Sequence, residues 1–278
     1  MTVGARGSRV TDLVDIVVLS ALPEEMRPLR AMLADVRRLA GDQEIWRGRW
    51  DERQVALAVT GDGARNARAG AAAAFLRVRA RAAIAIGVAG AVSPGLAAGD
   101  LLVGHQVMRD DGRALQEPAP ALLAASARLL AARPAALISV PRLAATRADK
   151  RRLQTIAADL APGLAAAVDL ESAAFAAAAA AWGLPWLILR AVSDDAGEEL
   201  PALLNDCLDD GGALRRGRLA VRLFRQPSVL RQLLSLRQRV QTCAETLAAA
   251  VLTVLHALPV LPRAGEGEGT DRQAGAET

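Results

Sequence analysis

Residues 167–197 read AVDLESAAFAAAAAAWGLPWLILRAVSDDAG and are the most informative part of this chain. The letters predict an apolar strand, an alanine-rich helix and a second, buried strand. Because helical crossovers of this kind join parallel strands, we expect the two strands to be parallel neighbours in an open sheet. Glu171 and Asp194 then follow the carboxyl ends of these strands, the edge at which open α/β sheets bind ligands. The stretch therefore predicts an acidic crevice lined by both side chains.

The same alternation of strands and helices continues through the rest of the chain. We predict strands at 15–19, 44–50, 55–59, 82–86, 101–108, 136–140, 165–170 and 186–192, and helices at 23–33, 65–78, 120–133, 147–158 and 172–182. This rhythm is typical of an α/β protein, and 278 residues with 52% hydrophobic content suffice for one such domain. We expect a single domain over 13–258 with a basic helical part over 199–258, a flexible lead-in over 1–12 and a disordered tail over 262–278.

The composition argues against several classes of protein. Cys207 and Cys243 are too few and too far apart for a disulfide framework, and with only His105 and His256 no zinc site is recognisable. We therefore expect neither a metal nor another cofactor. The N-terminus lacks the apolar centre of a signal peptide and no run of about eighteen apolar residues occurs, which predicts a cytoplasmic protein. Aromatic residues make up only 3% of the chain, so we expect no nucleic-acid partner.

Four loops that follow predicted strands are candidates for chemistry, at residues 20–25, 60–67, 87–91 and 193–195. If their strands are parallel, all four meet Glu171 at one edge of the sheet. Gly61 and Gly63 allow a ligand to approach the backbone closely, although a tight strand-to-helix turn explains them as well. Glu24 and Glu25 lie in the first turn of a helix, where carboxylates are stabilised by the helix dipole. Capping is the simpler interpretation of Glu24, and Glu25 stays open.

Six ordered motifs extend this pattern. They are Ala-Leu-Pro-Glu-Glu at 21–25, Gly-x-Gly-x-x-Asn-Ala at 61–67, Ile-Gly-x-Ala-Gly at 86–90, Gly-Asp-Leu-Leu-Val at 99–103, Val-Asp-Leu-Glu-Ser at 168–172 and Arg-Ala-Val-Ser-Asp at 190–194. The set resembles the nucleoside phosphorylase and nucleosidase superfamily, particularly the methylthioadenosine/S-adenosylhomocysteine nucleosidases. The resemblance implies a three-layer α/β/α phosphorylase-like fold, with a central mixed, largely parallel sheet flanked by helices.

The resemblance also implies an activity, which is cleavage of the N-glycosidic bond of an adenine nucleoside by a homo-oligomer. Residues 199–240 look further like hopanoid-biosynthesis-associated phosphorylases, which implies that adenosylhopane is converted to ribosylhopane and adenine. The alternatives are a methylthioadenosine/S-adenosylhomocysteine nucleosidase and a nucleoside-sensing domain without turnover. Water is favoured as the nucleophile because Pro-Glu-Glu at 23–25 replaces the phosphate-binding arginine of the phosphorylases. Phosphate stays an alternative nucleophile because Arg65 lies near the glycine turn.

Each candidate residue takes its role from the resemblance. The resemblance implies that Asp194 is the general acid that protonates purine N7 and that Glu25 orients the attacking water. The two residues would then act at the base and at the sugar, which are the two ends of the breaking bond. Glu171 holds the ribose hydroxyls, Ser193 orients Asp194, and Arg190 assists Glu25. The remaining candidates for substrate binding are Gly63, Val88, Ala89, Gly90 and Leu170.

Structural interpretations stay open for the charged candidates. Asp194 and Glu171 are also suited to capping a helix, and Arg190 to pairing with either of them in a buried salt bridge. The acids left as structural are Asp62, Asp169 and Asp195. The loop at 139–146, which in the nucleosidases brings an aromatic residue over the purine, contains none, so purine stacking is unexplained.

Residues 213–240 form a basic amphipathic stretch. The formal net charge of +4 comes almost entirely from arginine, because Lys150 is the only lysine. One interpretation packs the apolar stripe on the sheet or on a second subunit and leaves the arginines in water. The other is a peripheral contact with an anionic membrane that gives access to a lipid-linked nucleoside.

Overall fold

Strands and helices alternate along the chain as the sequence predicts. The computed structural model describes residues 12–113, 117–209, 212–213, 215, 217–219 and 228–257. The strands are β1 (Asp12–Ser20), β2 (Ala34–Arg38), β3 (Glu44–Trp50), β4 (Arg53–Val59), β5 (Val78–Ala91), β6 (Leu101–Arg109), β7 (Arg133–Ser139), β8 (Ala165–Asp169) and β9 (Trp186–Asp194). The helices are α1 (Pro23–Met32), α2 (Ala64–Arg77), α3 (Pro120–Leu129), α4 (Arg147–Leu160), α5 (Ser172–Ala181), α6 (Leu203–Asp206) and α7 (Ser228–Ala257).

The strands form one mixed sheet in the order β2-β3-β4-β1-β5-β8-β7-β6-β9. Strand β1 is parallel to β4 and β5, and β5 is parallel to β9, whereas the β5–β8 and β6–β9 pairs are antiparallel. Because β9 also pairs with β5, the second half of the sheet closes on itself. The predicted α/β class, with a mixed and largely parallel sheet between helices, is confirmed.

Helices cover both faces of this sheet. On one face α2 and α5 pack through Phe75 and Phe175, and on the other α1 and α7 pack through Leu29, Leu247 and Leu255. Burial of each large aliphatic side chain stabilises the fold by about 1.5–3 kcal/mol relative to exposure. The second half of α7 is therefore part of the core.

The prediction that β8 and β9 are parallel neighbours is wrong. Strand β8 is antiparallel to β5 and β9 is parallel to it, so the two strands joined by α5 run in opposite senses on either side of β5. They nevertheless end beside each other, because Gly90 of β5 is the register partner of both Val168 and Asp194. The register of β5 with β9 shifts between Ala89 and Gly90, and such an irregularity bends a strand. The ends of β5, β8 and β9 therefore meet at Gly90, and the extra residue at the shift is Ser193 of β9.

Two further differences concern the N-terminal half. Strand β2 is missing from the prediction because every one of its residues is exposed, so it carries no apolar alternation. Asp12, predicted to belong to the lead-in, is the first residue of β1 and forms ion pairs with Arg47 at 2.7 Å and Arg37 at 3.1 Å. The rest of the lead-in and the tail at 262–278 lie outside the described residues.

Helix α7 differs between its two halves. Within the described residues, the segment Val229–Ala257 is the helix long and apolar enough to cross a membrane by length and composition, and half of its most apolar window is buried inside the protein. A core helix satisfies the same criteria. In the first half, Leu230 and Leu234 are 45% and 55% exposed. Only this half belongs to the predicted basic stretch, of which residues 214, 216 and 220–227 lie outside the described part of the chain.

Candidate active site

The carboxyl ends of β1, β4, β5 and β9 meet at one edge of the sheet because these strands are parallel. Backbone hydrogen bonds join two of the loops that follow them. Thr60 N donates to Ser20 O at 3.0 Å, and Gly61 N donates to Ala21 O at 3.1 Å. The parallel arrangement on which the predicted convergence of the four loops depends is therefore confirmed.

Glu25 caps its helix with one carboxylate oxygen and reaches β5 with the other. It is buried in the first turn of α1, and its Oε2 accepts a hydrogen bond from Leu22 N at 3.1 Å, which caps the helix. Its Oε1 accepts from Val88 N at 3.1 Å and so meets the end of β5. A Cβ atom at Gly87 would lie 3.0 Å from this oxygen and 3.1 Å from Arg190 Nη1. Glycine at this position therefore lets the carboxylate and the guanidinium approach the strand closely.

Arg190 pairs with an acid that the sequence left as structural. Its Nε donates to Asp169 Oδ2 at 2.7 Å, and both side chains are buried. The predicted alternatives, a salt bridge with Glu171 or with Asp194, are wrong. The closed half of the sheet brings the end of β8 across from the middle of β9, and this topology was not predicted.

Asp169 is held from several directions. It accepts hydrogen bonds from Ser139 Oγ at 2.7 Å, from Ser172 N at 3.2 Å and from the Ser172 hydroxyl group. Ser139 Oγ in turn accepts from Ala173 N at 2.8 Å. These bonds tie β7, β8 and the start of α5 together, so the Asp169 carboxylate is a fixed partner for Arg190.

Glu171 reaches from the start of α5 to the start of α2. Its Oε1 accepts from Gly63 N at 2.8 Å, and it makes no capping hydrogen bond to its own helix, so the predicted capping alternative is wrong. Burial and the negative charges of Asp169 and Glu25 raise the pKa of Glu171 to about 8, although the Gly63 N–H and Arg190 lower it. The carboxyl group therefore holds a proton in most molecules at neutral pH.

Glu25, Asp169 and Glu171 surround Arg190, and we call these four residues the acidic cluster. Burial also raises the pKa of Glu25, against the attraction of Arg190 and of the backbone N–H groups of Leu22 and Val88. Full ionisation would place three negative charges around one positive charge in a buried space. A group that develops positive charge beside the cluster would favour ionisation of these carboxyl groups.

Asp194 lies at the end of β9 and is bound through both carboxylate oxygens. Ser193 Oγ donates to Oδ1 at 2.6 Å, and Lys150 Nζ donates to Oδ2 at 2.6 Å. Asp194 and Lys150 are 2% and 1% exposed. The capping alternative for Asp194 is wrong, because the next described helix, α6, begins only at Leu203. We call Asp194 and Lys150 the lysine pair, and Ser193 binds the carboxylate of this pair.

Sequence reasoning missed Lys150 as a site residue. A signal was present, because the chain contains no other lysine and this one shares the buried side of α4 with Leu153 and Ala157. A charged residue on the apolar side of an amphipathic helix needs a buried partner. The pattern alone did not say which carboxylate that partner is.

The smaller candidates meet the carboxylates mainly through their backbone. Gly63 N and Val88 N donate to Glu171 and Glu25 as described, and Ala89 O lies 3.3 Å from Ser193 Oγ. A Cβ atom at Gly90 would lie 2.9 Å from Asp194 Oδ2, so the absence of a side chain there admits that carboxylate. Leu170 is half-buried and packs beside the β7–β8 core.

The loop at 139–146 lies beside this edge of the sheet but supplies no aromatic ring. A Cβ atom at Gly212 would lie 3.3 Å from Gly63 Cα and 3.5 Å from Pro141 O, so three chain segments meet there. Thr146, at the end of the loop, caps α4 by accepting a hydrogen bond from Asp149 N at 3.1 Å. Among the described residues, no group of three or more His, Cys, Asp or Glu side chains is placed to hold a metal ion.

Comparison with known proteins identifies the family. The phosphorylase superfamily matches residues 15–215. The chain belongs to this superfamily. Over 213 residues this phosphorylase-superfamily protein is 31% identical to a 5'-methylthioadenosine/S-adenosylhomocysteine nucleosidase of Marinomonas sp. (strain MWYL1), and the alignment covers 69% of this chain and 91% of the relative. The resemblance predicted from the six motifs is therefore confirmed at the level of the superfamily.

Solved structures share the fold. A 5'-methylthioadenosine/S-adenosylhomocysteine nucleosidase of Neisseria meningitidis, in complex with methylthio-immucillin-A, matches with a TM-score of 0.68 and 21% identity, covering 88% of this chain and 99% of that one. A futalosine hydrolase mutant of Helicobacter pylori matches with a TM-score of 0.67 and 17% identity, covering 89% and 100%. Since differently named hydrolases share this fold, the fold by itself does not select a substrate.

Proposed function

We propose that this protein is a nucleosidase that cleaves the N-glycosidic bond of an adenine nucleoside, with 5'-methylthioadenosine and S-adenosylhomocysteine as its substrates. The observation that carries the proposal is the meeting of Glu25, Glu171 and Asp194 at one sheet edge, in a chain 31% identical to a nucleosidase named for these two compounds. The Marinomonas relative supports this substrate class above the lipid-linked one.

The two ends of the site suit the two ends of the breaking bond. When the bond between ribose and adenine breaks, its electron pair moves to the base, and positive charge develops on the sugar. The acidic cluster stabilises that positive charge, and Asp194 serves the base. Glu25, whose Oε1 lies at the end of β5, orients the water that attacks the sugar, and Glu171 holds the ribose hydroxyls.

Charge favours water over phosphate as the nucleophile. Arg190, the guanidinium of the acidic cluster, is already paired with Asp169, and a phosphate dianion would meet the negative charge of that carboxylate there. Such like-charge approach is unfavourable in a buried site. Arg65, the residue for which the sequence left phosphate as an alternative nucleophile, is exposed on α2.

The direct test is adenine release from 5'-methylthioadenosine and S-adenosylhomocysteine, measured with and without phosphate. We expect release at the same rate in both cases and a free sugar as the second product. Release that depends on phosphate, with a sugar phosphate as product, would identify a phosphorylase. Binding of the nucleosides without any release would instead support the nucleoside-sensing alternative.

The lipid-linked substrate stays a prediction, as do cytoplasmic localisation and homo-oligomer formation. Adenosylhopane was predicted from residues 199–240, and the exposed Leu230 and Leu234 lie on α7 beside Arg231 and Arg237. This arrangement is compatible with a membrane surface. Co-sedimentation with anionic vesicles at low salt, together with adenine release from adenosylhopane, tests it. If the protein neither binds these vesicles nor releases adenine from adenosylhopane, we expect the basic surface to contact another subunit or water instead.

A further inference from the structure

Lys150 uses all of its hydrogen-bond donors close to Asp194. Its Nζ donates to Asp194 Oδ2 at 2.6 Å, to Asp195 O at 2.6 Å and to Glu198 O at 3.1 Å. An ammonium group has three donors, so none is left over. The side chain is also excluded from water, with 1% of its surface exposed. Such complete satisfaction marks a built site rather than an accidental contact.

This pairing creates a problem for the proposed chemistry. A buried carboxylate within hydrogen-bond distance of an ammonium group is favoured as the anion. An anionic Asp194 has no proton to give to purine N7, and Ser193 Oγ already donates to its other oxygen. As an ion pair, Lys150 and Asp194 have the shared proton on the lysine nitrogen.

We propose that Lys150 supplies the proton that Asp194 passes to the departing adenine. This inference rests on the proposed nucleosidase function. An N–H bond of Lys150 breaks and leaves its electron pair on Nζ, while a proton moves onto Asp194. Asp194 then gives a proton to the lone pair of N7, as the electron pair of the glycosidic bond enters the purine ring. Adenine leaves neutral, Lys150 remains as an amine, and solvent restores its proton after product release.

The identity of the residue fits this role. Lysine gives up a proton when it is buried, whereas an arginine stays charged in proteins. Lys150 does not contact the base and acts through Asp194, so it is a positioning residue that also carries a proton. Carboxylates retain unused lone pairs when each oxygen accepts one hydrogen bond, which leaves Asp194 free to meet the base.

Several charged groups from neighbouring elements surround the pair. Arg239 of α7 binds Glu198 through two hydrogen bonds of 2.6 and 2.8 Å, and it interacts electrostatically with Asp194 and Asp195. Arg147 of α4 donates from Nε to Gly197 O at 2.7 Å, and the Cys243 thiol of α7 interacts electrostatically with Asp194 and Arg239. Arg239 is therefore a second cation near the pair.

The test compares two leaving groups in Lys150→Met and Lys150→Arg variants. Adenine needs a proton to leave, whereas the 4-nitrophenolate of a 4-nitrophenyl riboside does not. We expect Lys150→Met to lower kcat for 5'-methylthioadenosine by about 100-fold or more, the scale of general acid catalysis, and to leave kcat for the nitrophenyl riboside within about threefold. In Lys150→Arg the arginine keeps the positive charge but does not give up its proton. We therefore expect adenine release by this variant to stay as low as in Lys150→Met.

Three results would overturn the proposal. These are recovery of adenine release in Lys150→Arg, equal loss of both activities in a folded Lys150→Met, and full adenine release by Lys150→Met. If neither variant folds, the wild-type pH profile decides. Both substrates share the titration of Glu171, so we then expect kcat for 5'-methylthioadenosine to fall more steeply at alkaline pH than kcat for the nitrophenyl riboside, and equal pH profiles contradict the role. A wild-type protein that releases no adenine refutes the proposed function itself.

Discussion

The acidic cluster and the lysine pair are adjoining regions that differ in the balance of their charged groups. In the acidic cluster three carboxyl groups surround Arg190, and burial raises the pKa of two of them. In the lysine pair one carboxylate meets one ammonium group, so the formal charges cancel. In the proposed reaction, carboxyl groups that outnumber the cations suit a sugar that becomes cationic, and a pair that supplies a proton suits a base that becomes anionic. Under that proposal, the two regions would serve opposite ends of the breaking bond.

The largest expected effect comes from the lysine pair. Replacement of Asp194 by Asn removes the group that transfers the proton, so we expect adenine release to fall by about 10²- to 10⁴-fold. The measurement is kcat for 5'-methylthioadenosine. Asp195→Asn is the matched control, because the adjacent Asp195 is exposed and should retain most of the activity. Wild-type turnover by Asp194→Asn would exclude Asp194 as the acid.

In the acidic cluster, Glu25→Gln tests the positioning of water. Glutamine keeps the size of the side chain but cannot take a proton, so we expect kcat to fall by about 100-fold with little change in the melting temperature. Steady-state kinetics and thermal unfolding measure the two effects separately. The control is Glu24→Gln in the same helical turn. Equal losses in both variants would assign Glu25 to capping alone.

Removal of the shared cation tests the stability of the acidic cluster. Arg190→Met leaves Asp169 buried without its ion partner, and breaking a buried pair in this way costs about 3–5 kcal/mol of unfolding free energy. Urea unfolding measures the loss. The double variant Arg190→Met/Asp169→Asn should recover part of it, since no unpaired charge then remains at these two positions. If the double variant is as unstable as the single one, charge pairing is not what Arg190 contributes.

The last expected effect is a pH dependence of stability from Glu171. Its pKa is raised from 4.5 to about 8 in the folded protein, so the folded state binds the proton more tightly than the unfolded state. The resulting stability is complete below pH 4.5 and is lost as the pH rises through about 8. We expect Glu171→Gln to flatten this part of the unfolding profile. An unchanged slope would mean that another group titrates there.

Much of the fold followed from local patterns. The pattern of apolar residues predicted all of the described strands except β2, whose exposed residues lack any apolar alternation. The order of motifs around Gly61, Gly90 and Asp194 identified the superfamily. Strand direction was harder, because a helical crossover appeared to require parallel neighbours. Strand β5 instead pairs with β8 and β9 in opposite senses at Gly90, and no local sequence pattern records this pairing between distant segments.

The sequence by itself determined the α/β class, the superfamily and the choice of Glu25, Glu171 and Asp194, because periodicity and motif order are properties of neighbouring residues. Only the tertiary structure decided which partner each charge meets. Arg190 with Asp169, and Lys150 with Asp194, are contacts between segments far apart in the chain. They depend on the closure of the sheet and on how α4 packs against it. Buried charges select partners by distance in space, and that distance exists only in the folded chain.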